Sequence, residues 1–157
     1  MTDIIRLGRP YLILLVLTLA GRWVMGARGV SYERGHHVFG ITAVTVLAAI
    51  FYGLFCRKWR GYRPLDAAAM GAALGLTAQM AVFVLTAVSY ALELQTYFNH
   101  PAALGAAEPV PFERALVSRA LGLLVGPVVD AVAGLLGWVL GALLPPAVVP
   151  HTPDTAA

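Results

Sequence analysis

Four long apolar runs constrain the fold of this chain more than any other feature of its sequence. They cover residues 10–27, 37–56, 65–94 and 115–144. About 20 residues of α-helix cross a bilayer core, because a helix rises about 1.5 Å per residue. In lipid every backbone polar group needs an internal partner, which a helix supplies. The sequence therefore predicts an all-α integral membrane bundle of four transmembrane helices within residues 1–146, followed by a proline-rich tail over residues 147–157.

The composition favours a membrane protein over a water-soluble one. Hydrophobic residues make up 59% of the chain and charged residues 12%, whereas soluble domains carry about 25% charged residues. The net charge is +3, but the basic residues lie at the ends of the apolar runs. We therefore expect the lipid bilayer as a partner and no nucleic acid. Cys56 is the only cysteine, which excludes an intramolecular disulfide and a cysteine-based metal motif.

The N-terminal stretch partly resembles a signal peptide. Arg6 and Arg9 precede an apolar core, and Thr18 and Ala20 fit the small-residue pattern of a cleavage site. The apolar character nevertheless continues through GRWVMGA, residues 21–27, beyond that site. We therefore expect a retained first helix rather than a cleaved leader.

The basic residues indicate how the bundle is oriented. One side of the predicted bundle carries Arg6, Arg9, Arg57, Lys58, Arg60 and Arg63. The other side carries Arg22, Arg28, Arg34, Arg114 and Arg119. Because Lys and Arg are enriched in cytoplasmic loops, the denser first group predicts cytoplasmic termini and a location in the cell (inner) membrane. The cluster in RKWRGYR (Arg57, Lys58, Arg60 and Arg63) also suits anionic lipid headgroups, although topology alone explains it equally well.

Small and polar residues form a stripe along one face of the third and of the fourth segment. At about 100° per residue, each stripe falls within an arc of roughly 80°. The third segment contributes Gly71, Gly75, Gln79, Thr86, Ser89 and Glu93. The fourth contributes Arg119, Gly126, Asp130, Ala133, Gly137 and Gly141. Since small residues let helices approach closely in lipid, the two stripes predict a packing interface.

The depth of the polar residues predicts which of them meet. Gln79 and Asp130 both lie near the middle of their segments. Glu93 lies about 21 Å above the first and Arg119 about 16 Å above the second, at 1.5 Å per residue. Antiparallel packing would set Gln79 against Asp130 at mid-membrane and Glu93 against Arg119 at the outer rim. Arg22, near the outer end of the first segment, could join Glu93.

Asp130 has two interpretations. An ionised carboxylate at the bilayer centre costs about 2.5–3.5 kcal/mol on insertion scales, so such residues are usually functional. The functional interpretation is a proton or cation relay. The structural interpretation is an interhelical hydrogen bond or a contact with a partner subunit, and we favour it because a pump or transporter normally supplies more than one such group.

The histidines raise the question of a metal site. His36, His37 and His100, with Glu93 and Glu108, fall on one side of the membrane. Adjacent histidines point apart on a helix, and no i, i+4 pair exists, so interfacial loop histidines are the simpler interpretation. The chain also lacks a catalytic triad, a phosphate-binding glycine loop and a CxxC motif. We therefore expect no catalytic residue, no metal and no cofactor.

Two functions fit these observations. The first is a non-catalytic accessory or scaffold subunit of a larger membrane complex, with other membrane protein subunits or further copies of the chain as partners. The alternative is a small oligomeric proton-coupled transporter or channel built around Asp130, Gln79 and Arg119. The direction of the polar stripes discriminates between them. A dry bundle favours the subunit, and a cavity that reaches Asp130 favours the transporter.

Overall fold

The structure, a computed structural model, describes residues 2–145, with side chains from residue 7 onward. These residues form five α-helices and one short 3-10 helix, and no strand occurs among them. The helices are α1 (Thr2–Ala27), α2 (Tyr32–Gly35), α3 (Ile41–Arg60), α4 (Pro64–Ala91) and α5 (Phe112–Leu143), and the 3-10 helix is Pro101–Leu104. The predicted tail, residues 147–157, and the side chain of Arg6 lie outside the described residues.

The four long helices are each long and apolar enough to cross a membrane, which confirms the predicted all-α fold with four such helices and is consistent with a multi-pass membrane protein. The spans are Leu7–Ala27, Ile41–Arg60, Pro64–Ala91 and Phe112–Leu143, with mean hydropathies of 1.5, 1.5, 1.8 and 2.0. The predicted third segment is too long at its end. There α4 stops at Ala91, and Glu93 adopts a left-handed backbone with φ of 51°, which a continuing helix does not allow.

The chain connections divide the bundle into two ends. The loop end carries the connections of residues 28–40 and 92–111, and the hairpin end carries the turn of residues 61–63. At the turn, Gly61 takes a left-handed conformation that closes α3. The backbone N–H of Arg63 then donates to the Asp66 carboxylate at 2.9 Å, which satisfies a free donor where α4 begins.

Glycines bring α3, α4 and α5 into close contact over the half of the bundle nearest the hairpin end. A Cβ on Gly53 would overlap the carbonyl oxygen of Gly134, and one on Gly137 would overlap that of Ile50. A Cβ on Gly134 would lie 2.5 Å from the carbonyl oxygen of Ala67. Only residues without a side chain permit this backbone-to-backbone distance, so this half of the bundle is closed.

The first helix packs on α3 and α4 through one face. Tyr11, Leu15 and Leu19 repeat at four-residue spacing, and each is buried. The Tyr11 hydroxyl bonds Thr45 at 3.0 Å and donates to the Leu74 carbonyl at 3.2 Å. The other faces of α1 expose large apolar side chains, as expected of a helix that contacts lipid.

The longer connection folds back over the loop end of the bundle. Thr96, Tyr97 and Phe98 are each at most 3% exposed. The Tyr97 hydroxyl donates to the carbonyls of Val30 at 3.0 Å and Ser31 at 3.1 Å, which joins the two loops. Residues 96–98 therefore cover the helix ends, and we call this segment the lid.

Candidate functional site

A cavity of about 200 Å³ separates the first half of α3 from α5, with Asp130 in its wall. Its polar lining consists of Thr42, Thr45, Gln79 and Asp130, and the remainder is small or aliphatic. We call it the Asp130 cavity. It begins where the glycine contacts between α3 and α5 end, so the two helices are packed tightly on one side of Asp130 and apart on the other.

Asp130 is held on α5 against the glycines of α4. Its side chain is 5% exposed. A Cβ on Gly75 would overlap the Asp130 carboxylate, and one on Gly71 would overlap the Asp130 carbonyl oxygen. One carboxylate oxygen, Oδ1, is buried without a hydrogen-bond partner among the described residues. Asp130 therefore lies at a close helix contact while keeping a hydrogen-bonding site unused.

Gln79 lines the same cavity from α4. Its side chain lies across two glycines of α5, since a Cβ on Gly122 would lie 3.0 Å from Gln79 Oε1 and one on Gly126 would lie 2.5 Å from Gln79 Cγ. The predicted neighbours Gln79 and Asp130 thus share a cavity wall. No hydrogen bond joins their side chains in the described structure.

A second cavity of about 410 Å³ adjoins the first towards the loop end. The two share Ile41, Thr42 and Gln79 in their linings. We call it the mouth cavity, and the two together the polar cleft. Basic side chains in its lining are Arg22, His36, His37 and Arg119.

Arg119 reaches the mouth cavity from α5 and contacts the lid. Its Nε donates to the Thr86 hydroxyl at 3.1 Å, and Nη2 donates to the Phe98 carbonyl at 2.8 Å. The predicted pairing of Arg119 with Glu93 is not formed. Because α4 ends at Ala91, Glu93 leaves the helical stripe and is exposed.

Arg22 reaches the mouth cavity from α1. Its Nη1 donates to the carbonyls of His36 at 3.0 Å and Phe39 at 3.2 Å. The guanidinium lies 6.0 Å from the Tyr32 ring centre and 5.5 Å from that of Tyr97. Its Nε is buried without a partner in the described chain. Carbonyls and ring faces, rather than the expected Glu93, surround this cation.

The histidines gather around one tyrosine. The rings of His36 and His100 stack on Tyr32 with centre distances of 5.0 Å and 4.6 Å, and the His37 ring lies 3.6 Å from that of His36. Within residues 2–145 no three His, Cys, Asp or Glu side chains are grouped as metal ligands would be. This aromatic cluster borders the mouth cavity.

The basic residues proposed for lipid headgroups divide into two pairs. Arg57 lies 3.9 Å from the Trp138 ring centre and donates to the Trp138 carbonyl, and Lys58 donates to the Leu144 carbonyl at 2.7 Å and to that of Pro145. This pair ties the end of α3 to the end of α5. The other pair, Arg60 and Arg63, is exposed.

Sequence reasoning missed the lid. Phe98 supplies a carbonyl to Arg119, and Tyr97 supplies a ring face to Arg22. The available signal was the triplet Thr96-Tyr97-Phe98, whose large side chains are unusual in an otherwise small and polar loop.

Comparison of the chain with models of protein families, with curated proteins and with solved structures finds no match. Its function must be inferred from the polar cleft.

Proposed function

We propose that the protein is a proton-coupled transporter of a small polar solute, with Asp130 as the residue that takes up and releases the proton. It resides in the cell membrane with both termini in the cytoplasm, so the loop end faces outward. The density of basic residues at the hairpin end supports this orientation. In this role Asp130 exchanges its proton with water in the cleft, so its carboxylate needs no hydrogen bond to another described residue.

The observation that carries the proposal is the Asp130 cavity with its unpartnered carboxylate oxygen. At about 200 Å³ the cavity has room for several waters, since one water occupies about 30 Å³ of liquid. A buried carboxylate needs either a proton or a partner, and Oδ1 has no partner in the described residues. A proton on Asp130 removes the charge for which Oδ1 has no partner, and the cavity that Asp130 lines gives the proton a path to water.

The closed half of the bundle favours a transporter over an open channel. On the hairpin side of Asp130, the contacts of Gly53 with Gly134 and of Gly137 with Ile50 leave no gap between backbones. A solute in the cleft can leave on that side only if α5 moves relative to α3. Alternating access requires such a movement, and a second copy of the chain could supply the surface against which it occurs.

Proton flux into liposomes tests the proposal. The purified chain is reconstituted with a pH-sensitive dye inside, and a proton gradient is applied with a small polar solute outside, inorganic phosphate and glycine in separate assays, because a coupled transporter moves protons only with its solute. We expect flux above that of empty liposomes, and we expect Asp130→Asn to reduce it at least about tenfold because an amide cannot carry the proton. Glu113→Gln is the matched control, since Glu113 is exposed in the first turn of the same helix. Equal flux through the parent and Asp130→Asn would refute the proposal.

A second candidate, the accessory subunit, is favoured by one other observation. An apolar groove of about 610 Å³ lies between α1 and α4, and its lining includes Ala20, Trp23 and Ala81. A helix of another membrane protein would fit against Ala20 and Ala81, whose small side chains permit a close approach. The test is purification in mild detergent with and without Ala81→Trp. A stoichiometric partner that Ala81→Trp releases supports this function, and a chain that purifies alone counts against it.

A further inference from the structure

We propose that the mouth cavity binds a small oxyanion between Arg22 and Arg119. The second part of the proposal rests on the proposed function and concerns the solute. The solute that is transported with the proton is an anion with phosphate, sulfate or carboxylate chemistry. The binding site itself follows from the geometry of the mouth cavity.

The two arginines have no acidic partner among the side chains that the structure describes. Each donates to neutral oxygens, Arg22 to two backbone carbonyls and Arg119 to a hydroxyl and a carbonyl. The described residues that line the mouth cavity include no Asp or Glu. The carboxylates of Glu33 and Glu93, at the same end of the bundle, are exposed. Two guanidinium groups that share one partly buried cavity repel each other, and an anion between them removes that cost.

Arg22 also has one hydrogen-bond donor without an acceptor among the described residues. Its Nε is buried and makes no hydrogen bond within the described structure. A buried donor without an acceptor is costly, particularly on a charged group. The guanidinium is therefore incompletely satisfied by the described residues, and guanidinium groups bind oxyanions through pairs of parallel N–H donors.

The first turn of α3 adds donors of the same kind. Ile41, Thr42 and Ala43 line the mouth cavity, and the N-cap residue Gly40 has no side chain to satisfy their backbone N–H groups. Anions are stabilised at the N-terminus of a helix because these groups and the helix dipole both favour negative charge. The arginines and the helix start thus converge on one cavity of about 410 Å³.

The position of Asp130 explains how an anion and a proton could be coupled. The Asp130 cavity adjoins the mouth cavity through Thr42 and Gln79. An ionised Asp130 would repel an anion that moves deeper into the cleft, and a protonated Asp130 would not. Anion entry would therefore require the proton, which is the condition for cotransport.

Thermal unfolding of the purified full-length protein tests the site. Inorganic phosphate and sulfate are titrated at constant ionic strength in a neutral detergent. A ligand that binds the folded state raises its melting temperature in a saturable way, and we expect this result for the parent. Arg22→Gln should weaken the apparent affinity at least about tenfold, because charge-assisted hydrogen bonds are lost. Arg28→Gln, at an exposed position outside the cavity, should leave it unchanged.

Arg119 needs a conservative variant because it also holds the lid. Arg119→Gln removes bonds to Thr86 and Phe98 and could prevent folding. Arg119→Lys keeps the charge, and should retain anion binding with reduced affinity. The site would be overturned if Arg22→Gln and Arg119→Lys both bound the anion with the affinity of the parent. It would also be overturned if phosphate, sulfate and anionic lipid all left the melting temperature of the parent unchanged.

A lipid headgroup offers the same oxyanion chemistry, so a second arm identifies the source. The parent and Arg22→Gln are compared in nanodiscs of phosphatidylglycerol and of phosphatidylcholine. If phosphatidylglycerol alone stabilises the parent and Arg22→Gln abolishes the effect, the oxyanion site is supported and the cotransported anion is overturned. Proton flux that depends on Asp130 but persists without any anion binding would overturn this inference and leave the proposed function standing.

Discussion

Gln79 of α4 and Asp130 of α5 line one cavity from two helices, yet no hydrogen bond joins their side chains in the described structure. Their helices are held together by glycines rather than by this polar pair. Gly71 and Gly75 receive Asp130, and Gly122 and Gly126 receive Gln79. The polar groups are therefore left available to whatever enters the cavity, and helix packing and function can be tested separately.

Substitution of Asp130 separates these two roles. Asp130→Asn keeps the size of the side chain and should change the free energy of unfolding by less than about 1 kcal/mol. Asp130→Leu replaces the two carboxylate oxygens with bulkier methyl groups against Gly75 and should cost about 1–3 kcal/mol. Denaturation in mixed detergent micelles measures both. Equal stability of the Leu variant and the parent would show that the contact with Gly75 does not constrain the side chain.

Gly71 should tolerate no side chain. A Cβ there overlaps the carbonyl oxygen of Asp130, so Gly71→Ala forces α4 and α5 apart and should destabilise the protein by about 1–3 kcal/mol. Gly8→Ala is the matched control, because its Cβ would meet only the end of Met70 at 3.9 Å. The same unfolding measurement applies. A loss of stability in Gly8→Ala as large as in Gly71→Ala would point to a general effect of added methyl groups.

The lid depends on the Tyr97 hydroxyl. Tyr97→Phe removes the bonds to the carbonyls of Val30 and Ser31 and should cost about 1 kcal/mol. Amide hydrogen exchange should then become faster in residues 28–35, where the two loops meet. Tyr62→Phe, at the hairpin end, serves as the control and should leave exchange in those residues unchanged. Unchanged exchange in Tyr97→Phe would mean that the two loops are held together by other contacts.

At the hairpin end, Trp138 joins three elements. Its Nε1 donates to the Tyr62 carbonyl at 2.9 Å, and its ring carries the Arg57 guanidinium at 3.9 Å. Trp138→Leu should lower the free energy of unfolding by about 1–3 kcal/mol. Trp59→Leu should have little effect, because Trp59 at the same end is 56% exposed. Similar losses in the two variants would contradict the role given to Trp138.

The helices and their polar faces were the predictable part of this molecule. Lipid admits few backbone forms, so four apolar runs of sufficient length indicate four helices. The 3.6-residue period then places Gly71, Gly75 and Gln79 on one face of α4, and the structure puts that face against α5. The number of helices and the residues that share a helix face both follow from local sequence, so both could be predicted.

The partners of the charged groups were not predictable in the same way. The sequence predicts Glu93 opposite Arg119 only if α4 continues three residues beyond Ala91, and the helix-forming residues Leu92, Glu93 and Leu94 give no sign that it ends there. Arg119 instead bonds the Phe98 carbonyl, at a position set by the fold of a long loop. Such contacts join distant parts of the chain, and no periodic pattern records them.

Thiol labelling at residue 79 tests most directly whether water reaches Asp130 through the polar cleft. Cys56 is the only cysteine, so Cys56→Ala provides a background without thiols. Gln79→Cys places a thiol in the lining of both cavities. Met80→Cys is the control, because it places a thiol at the same depth in the apolar groove. A charged, membrane-impermeant reagent needs a hydrated thiolate. We expect it to modify Gln79→Cys and to leave Met80→Cys unmodified, whereas equal protection of both residues would contradict the cleft.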